Sequence, residues 1–244
     1  MKDFRMTPGA CVTFPQIVLI IGTDASGKDH IAAIVEKMIR EAGGEVEKRK
    51  RFLAGRRTLR QSSAAKSWFE LCLERGFLFC FPYLGWMLPW FAALLLRRDL
   101  RKLRLPSGKL VIVGHNCLRG LAFYWGHRYA SVENIRISAK LEEVLVKMGK
   151  LPGLHTLVLD VDDSLRQSRI KAREMCGQAD FFDRYLAMHQ EKSERIESML
   201  VWLCKHYLNA QLIENNDLGE AELRRLIAAG FSGKVRPGRR SPGN

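Results

Sequence analysis

Seven residues, Gly22-Thr23-Asp24-Ala25-Ser26-Gly27-Lys28, carry the pattern GxxxxGK. Glycines at both ends let the backbone wrap an anion closely, with successive N–H groups pointing inward as donors. Lys28 adds a point charge suited to β- and γ-phosphates. Upstream lies the apolar run IVLII, residues 17–21; downstream Ile31, Ile34, Val35, Met38 and Ile39 recur at helical spacing. A buried strand, a glycine loop and an amphipathic helix are the context this motif needs, and the helix start offers its positive end to the anion. The chemistry implied is the holding of a polyphosphate by Gly22, Asp24, Ala25, Ser26, Gly27, Lys28, Asp29 and His30.

Asp29 stands where such loops carry a Ser or Thr that reaches Mg²⁺. Three readings stay open. A carboxylate is a hard oxygen ligand and could hold Mg²⁺ itself. Without a metal it would repel the phosphates, by about 4 kcal/mol at ~4 Å and an effective dielectric of ~20. Or it turns away and caps the helix start.

A second group of charges is Arg166, Arg169 and Arg173, at i, i+3 and i+7. In a helix they share one basic face, which suits either phosphate oxygens or solvent.

Alternating elements must position these groups. Buried strands are expected at 110–113, 157–161 and near 211–214, with a weaker one near EVEKRK, residues 45–50. Helical patterns cover 31–41, 134–148, 164–174, 181–206 and 220–229. Gly43 and Gly44 end the first helix. This order predicts an α/β fold with three layers and a parallel sheet. Residues 1–15, with Pro8, Gly9 and Pro15, read as a loose leader without a signal peptide. Residues 16–230 read as one domain, and 231–244 as a disordered basic tail.

Residues 76–96, GFLFCFPYLGWMLPWFAALLL, hold no charged side chain, and RRDLRKLR follows at 97–104. The length suits a membrane span. Against a span, the Lys28 loop and the arginine helix would then face opposite sides, and Gly76, Pro82, Gly85 and Pro89 interrupt the run. A buried helical hairpin is the favoured reading. An interfacial segment whose basic flank meets anionic headgroups is the alternative.

Among 244 residues, 40 are Lys or Arg and 26 are Asp or Glu, a net charge of +14. That favours an anionic partner without choosing one. Nucleic acid is disfavoured, because only bulk charge and the basic tail point to it. Six scattered cysteines show neither CxxC nor metal spacing, which fits a reducing, cytoplasmic compartment.

Two segments resemble thymidylate kinases. GTDASGKDH is similar to the GxDGxGKTT loop of that family, Asp24 included, and LDVDDSLRQSRIKAR to its LDVDPEVALERIRKR segment. FFDRY, residues 181–185, is similar to the family's DRFE. The resemblance implies a P-loop NTPase fold of the nucleoside monophosphate kinase type, with helical lid and acceptor insertions. It implies ATP and Mg²⁺ as cofactors, and Arg169 and Arg173 as lid cations reaching the γ-phosphate or the adenine-side face. The family's Asp-Arg pair at the end of the middle strand is replaced by Gly114-His115-Asn116. By position, His115 and Asn116 become acceptor-side candidates, as do Arg56 in AGRRTLR and Arg97 in LLLRRDLRKL. The apolar insert is similar to the Trp-rich insert of thymidylate-kinase-like proteins from bacterial surface-polysaccharide gene clusters.

The reading is an ATP-dependent phosphotransferase acting on a nucleotide or other small acceptor, with a homodimer compatible. Its alternative is a degenerate nucleotide-binding accessory at a membrane surface or in a polysaccharide pathway, without turnover.

Overall fold

The computed structural model describes residues 3–6, 10–49, 53–54, 83, 85–114, 116–179 and 181–232. Five parallel strands form the main sheet: β3 (Ile17–Ile21), β4 (Glu45–Arg49), β5 (Lys109–Val113), β6 (Leu154–Asp160) and β7 (Gln211–Glu214). Their spatial order is β4-β5-β3-β6-β7, with every pairing parallel. The central strand β3 is the IVLII run, buried at every position because both faces are covered. The chain leaves it first toward β4 and β5, then crosses to β6 and β7. Ligand crevices open at the carboxyl ends of strands around such a switch point.

Side chains alternate between two cores. Val18 and Ile20 pack with Leu157, Leu159 and Ile213 against α1 (Lys28–Glu41), which buries Ile31, Ile34, Val35, Met38 and Ile39. Ile17, Leu19 and Ile21 face the other core, with Val111, Val113 and Val158. That side is covered by α2 (Leu88–Lys102), α3 (Asn116–Arg128) and α4 (Ala139–Gly149). After β6 come α5 (Asp163–Met175) and α6 (Phe181–Met188), then α7 (Gln190–Leu208). Last comes α8 (Glu220–Phe231), which joins α1 in the first core through Leu223 and Ile227. The result is the expected three-layer α/β arrangement.

Several expectations are corrected. The leader is not loose throughout: β1 (Asp3–Met6) and β2 (Ala10–Thr13) pair antiparallel, with the Pro8-Gly9 turn signal between them. The helix expected from 134 starts at Ala139, where the Ser138 hydroxyl accepts the Leu141 N–H. The helix expected over 181–206 breaks at His189 into α6 and α7, without a Gly or Pro to mark it. α3 was not anticipated, because its apolar residues run almost all round. It packs closely on α7, with Leu118, Leu121 and Trp125 buried alongside Ile196, Leu200 and Leu203.

Of the apolar 76–96 segment, residues 76–82 and 84 lie outside the described residues. The described remainder is not a buried hairpin arm. Helix α2 buries Ala92, Leu96 and Asp99 and leaves Trp90, Phe91, Leu94 and Leu95 exposed. No helix among the described residues is long and apolar enough to cross a membrane. The tail beyond residue 232 lies outside the described residues.

Candidate functional site

The loop between β3 and α1 is shaped by two glycines. A Cβ at Gly22 would collide with Ser26 Oγ, and one at Gly27 with the Asn215 amide. Gly27 also takes φ 85°, and Ala25 takes φ 59°. The left-handed region disfavours a side chain, so the Gly27 requirement is both steric and conformational. Ser26 Oγ donates to Thr23 O (2.8 Å), closing the loop on itself. From across the sheet, Asn215 Nδ2 donates to Ser26 O (2.8 Å), and the Asn215 N–H to Asp160 O (2.8 Å). Asn215, directly after β7, thus ties the loop to the ends of β6 and β7.

Lys28 lies back over this loop. Its Nζ donates to Gly22 O (3.1 Å) and Thr23 O (2.5 Å), and lies 3.7 Å from Asp24 Oδ1. Asp24 Oδ2 accepts from Arg119 Nη2 of α3 (2.5 Å). One carboxylate is therefore shared by two cations at the mouth of the loop. Burial pushes the Lys28 pKa down to about 8, and the charge of Arg119 pushes the same way; Asp24 and Asp29 oppose both, and Arg173 adds to the lowering. An anion entering the loop would exchange neutral carbonyl partners of Lys28 for charged oxygens, which make stronger hydrogen bonds.

The arginine helix divides by depth. Arg166 does not belong to the ligand-facing group. It is fully buried, pairs with Glu197 of α7, and donates to Ser193 Oγ (2.8 Å) and Val161 O (2.9 Å). Glu197 in turn accepts from Thr23 Oγ1 (3.3 Å), so Arg166 holds the loop from beneath. Arg169 does reach the loop, donating to Ala25 O (3.4 Å), Asn215 O (3.2 Å) and Asp217 Oδ1 (3.2 Å). Arg173 bridges to Asp183 of α6 (3.3 Å to each oxygen) while remaining near enough to act on Lys28. Helix α6 is pinned to α3 by Tyr185, which bonds His127 Nε2, and by Phe182 and Tyr185 against Phe123.

Asp29 and His30 are exposed in the first turn of α1. The helix cap is Gly27, with no side-chain cap bond, so the capping reading of Asp29 is not what the structure records. Among the described residues, no group of three or more His, Cys, Asp or Glu could hold a metal by itself. A magnesium ion carried by nucleotide phosphates needs only one or two carboxylates. Exposed Asp29, acting on Lys28, fits that donor set.

The acceptor-side expectations are less gathered. Arg56 and His115 lie outside the described residues, and Asn116 opens α3. Arg97 faces outward on α2, lining a groove of about 290 Å³ with Arg101, Glu143 and Lys147. Among the described residues, no hydrogen bond or ion pair joins Arg97 to the loop. Arg119 and Asn215 were missed. Arg119 stands one helical turn beyond His115-Asn116, and Asn215 directly after an apolar strand; those placements were the available signals.

No protein-family model matches the chain, and no curated protein matches it. Among solved structures, a deoxyadenosine kinase from M. mycoides with bound dATP superposes with a TM-score of 0.51 at 16% identity, over 88% of this chain and 99% of that one. A thymidylate kinase from Ehrlichia chaffeensis follows with a TM-score of 0.45 at 12% identity, over 88% and 97%. At that score the second adds no weight. Strand order, phosphate loop and superposition agree: the chain has a P-loop kinase fold like that of this deoxyadenosine kinase.

Proposed function

We propose that the protein is an ATP-dependent phosphotransferase that moves the γ-phosphoryl group to a nucleoside, a nucleotide or another small acceptor. The observation that carries this is the loop with Lys28 folded over it and flanked by Arg119, Arg169 and Arg173. Phosphoryl transfer asks the protein mainly for positioning and for cations where charge moves. Lys28 and the loop N–H groups hold the β- and γ-phosphates. Arg169, already on the loop at Ala25 O, and Arg173 close from the lid side. An acceptor oxygen attacks the γ-phosphorus as the bridging bond to the β-phosphate breaks, and ADP leaves. Mg²⁺, when bound with the nucleotide, would neutralise phosphate charge, with Asp29 as the carboxylate to hold it.

On the acceptor side, Arg119 supplies a cation from the helix that follows β5. We assign it the positioning of the acceptor or of the transferring phosphoryl group. A phosphate acceptor at this end needs no base. A hydroxyl acceptor must lose a proton, and His115 stands nearest in sequence for that task.

The test is ADP release from ATP and Mg²⁺ across deoxynucleosides, nucleoside monophosphates and small hydroxylated or phosphorylated compounds. Release that depends on one added acceptor and disappears in Lys28→Ala supports the reading. Binding of ATP without release for every acceptor leaves the non-catalytic nucleotide-binding alternative, which the missing Ser or Thr at position 29 favours.

A further inference from the structure

Among the described residues, one face of helix α2 is left uncovered. Ala92, Leu96 and Asp99 turn inward, and Asp99 accepts the Leu53 N–H (2.7 Å) and the Ala54 N–H (2.6 Å). The helix is therefore already anchored. Its outer side divides along the axis. The first two turns and the turn before them expose Trp86 (68%), Trp90 (55%), Phe91, Leu94 (49%) and Leu95. The last two turns expose Arg97, Arg98, Arg101 and Lys102, and Arg104 follows. At 1.5 Å per residue, Trp90 and Arg101 stand about 16 Å apart along the axis. Exposed apolar side chains of this size in one patch mark an interaction surface.

We propose that this face docks on an anionic phospholipid bilayer, with its aromatic end dipped among the acyl chains and its basic end at the phosphates. Charge decides the occupant. A second copy on the same face would set cations against cations if the helices ran parallel, and cations against apolar side chains if antiparallel. A bilayer edge offers both chemistries in the right order: hydrocarbon below, phosphate above. Trp suits that boundary, because its ring is apolar and its N–H needs a polar partner. The inference rests on α2 alone and stands whether or not the loop transfers phosphate.

The experiment is co-sedimentation of the full chain with vesicles of phosphatidylglycerol and phosphatidylcholine, against phosphatidylcholine alone, over a range of salt. Binding to the anionic vesicles that weakens with salt is expected. Arg98→Gln, Arg101→Gln and Lys102→Gln together should lower partitioning on the order of a hundredfold. Trp90→Ala with Leu94→Ala should lower it roughly tenfold or more. Equal binding to neutral vesicles, or binding insensitive to either set, overturns the proposal. Loss through the charge set alone, with the apolar pair silent, also overturns it, since that describes a general polyanion site. A face covered by residues 55–82 or by a second copy would show no vesicle binding; in the second case Trp90→Glu with Leu94→Glu would also reduce the apparent size in solution. All these substitutions are at exposed positions, so unchanged thermal unfolding is the control, and the charge set remains informative if the apolar pair is destabilised.

Discussion

The two halves of the candidate site are built differently. On the donor half, one continuous segment, β3 to α1, supplies the loop, Lys28 and Asp29, and one helix, α5, supplies Arg169 and Arg173. On the acceptor half, the candidates come from separate places: Arg119 from α3, Arg97 from α2, and His115 and Arg56 outside the described residues. A segment that carries its own geometry can be read locally. A site assembled across the fold depends on packing, and its chemistry can change with the residue each element happens to present.

Removing the donor half's central charge has the largest expected effect. Lys28→Ala should lower kcat/KM for acceptor-dependent ADP release by about a thousandfold or more, within the range of lost charge stabilisation in phosphoryl transfer. Stability should hold or rise, because the fold disfavours the charged form of the amine that is removed. Turnover within tenfold of wild type would mean that the loop is not the donor site.

Next in size is a contrast within one helix. Arg166→Met should cost about 3–5 kcal/mol in denaturant unfolding, because it strands Glu197 as a buried charge. Arg169→Ala should leave unfolding within about 1 kcal/mol and lower kcat/KM by one to two orders of magnitude, in the range of a removed charged contact. If both variants lose only activity, Arg166 is a ligand after all and the division by depth fails.

That division shows where sequence reading stops. Strand β3, the glycine loop and α1 were legible because their signals are local: five apolar residues, two glycines, and Ile31 to Ile39 at helical spacing. Arg166, Arg169 and Arg173 share the same spacing, and nothing in it says which one is buried. Glu197 and Ser193 decide that, from a helix about thirty positions on. The same holds for Arg119, which meets Asp24 across 95 positions, and for Asn215, which meets Ser26 across 189. The break at His189 was illegible for a related reason. It turns α6 so that Tyr185 and Phe182 meet α3, a tertiary demand with no local breaker residue.

The acceptor half is tested by Arg119→Ala, with an expected loss of about a hundredfold in kcat/KM. A positioning role predicts that the KM for the acceptor rises more than that for ATP, and that Arg119→Lys restores part of the loss. A merely structural role for the pair with Asp24 would move both substrates equally, together with the melting temperature. Asp29→Ser addresses the donor half with a smaller effect. If Asp29 holds the metal, wild type needs Mg²⁺ before ATP raises its melting temperature, and Asp29→Ser needs it less. If Asp29 only repels phosphate, Asp29→Ser binds ATP more tightly even without metal.

The smallest effect joins the two halves through one proton. With its pKa near 8, Lys28 of the free protein is about half neutral at pH 8. Bound phosphates favour the charged amine, so the complex holds the proton to higher pH. ATP binding at pH 8 should therefore take up about half a proton, and affinity should fall as pH rises through 8. Below pH 7 the uptake should vanish, because Lys28 is already charged. Unfolding runs the other way: the unfolded amine keeps its proton to near 10.5, so this group's contribution to stability rises with pH between about 8 and 10.5. Calorimetry in buffers of different ionisation enthalpy reads the uptake directly. Lys28→Arg should show none. Arg119→Ala should show less than wild type, because it removes the second cause of the lowered pKa and leaves Asp24 to Lys28 alone. An uptake unchanged by Arg119→Ala would uncouple the two halves, and Arg119 would then act on the acceptor without tuning the donor lysine.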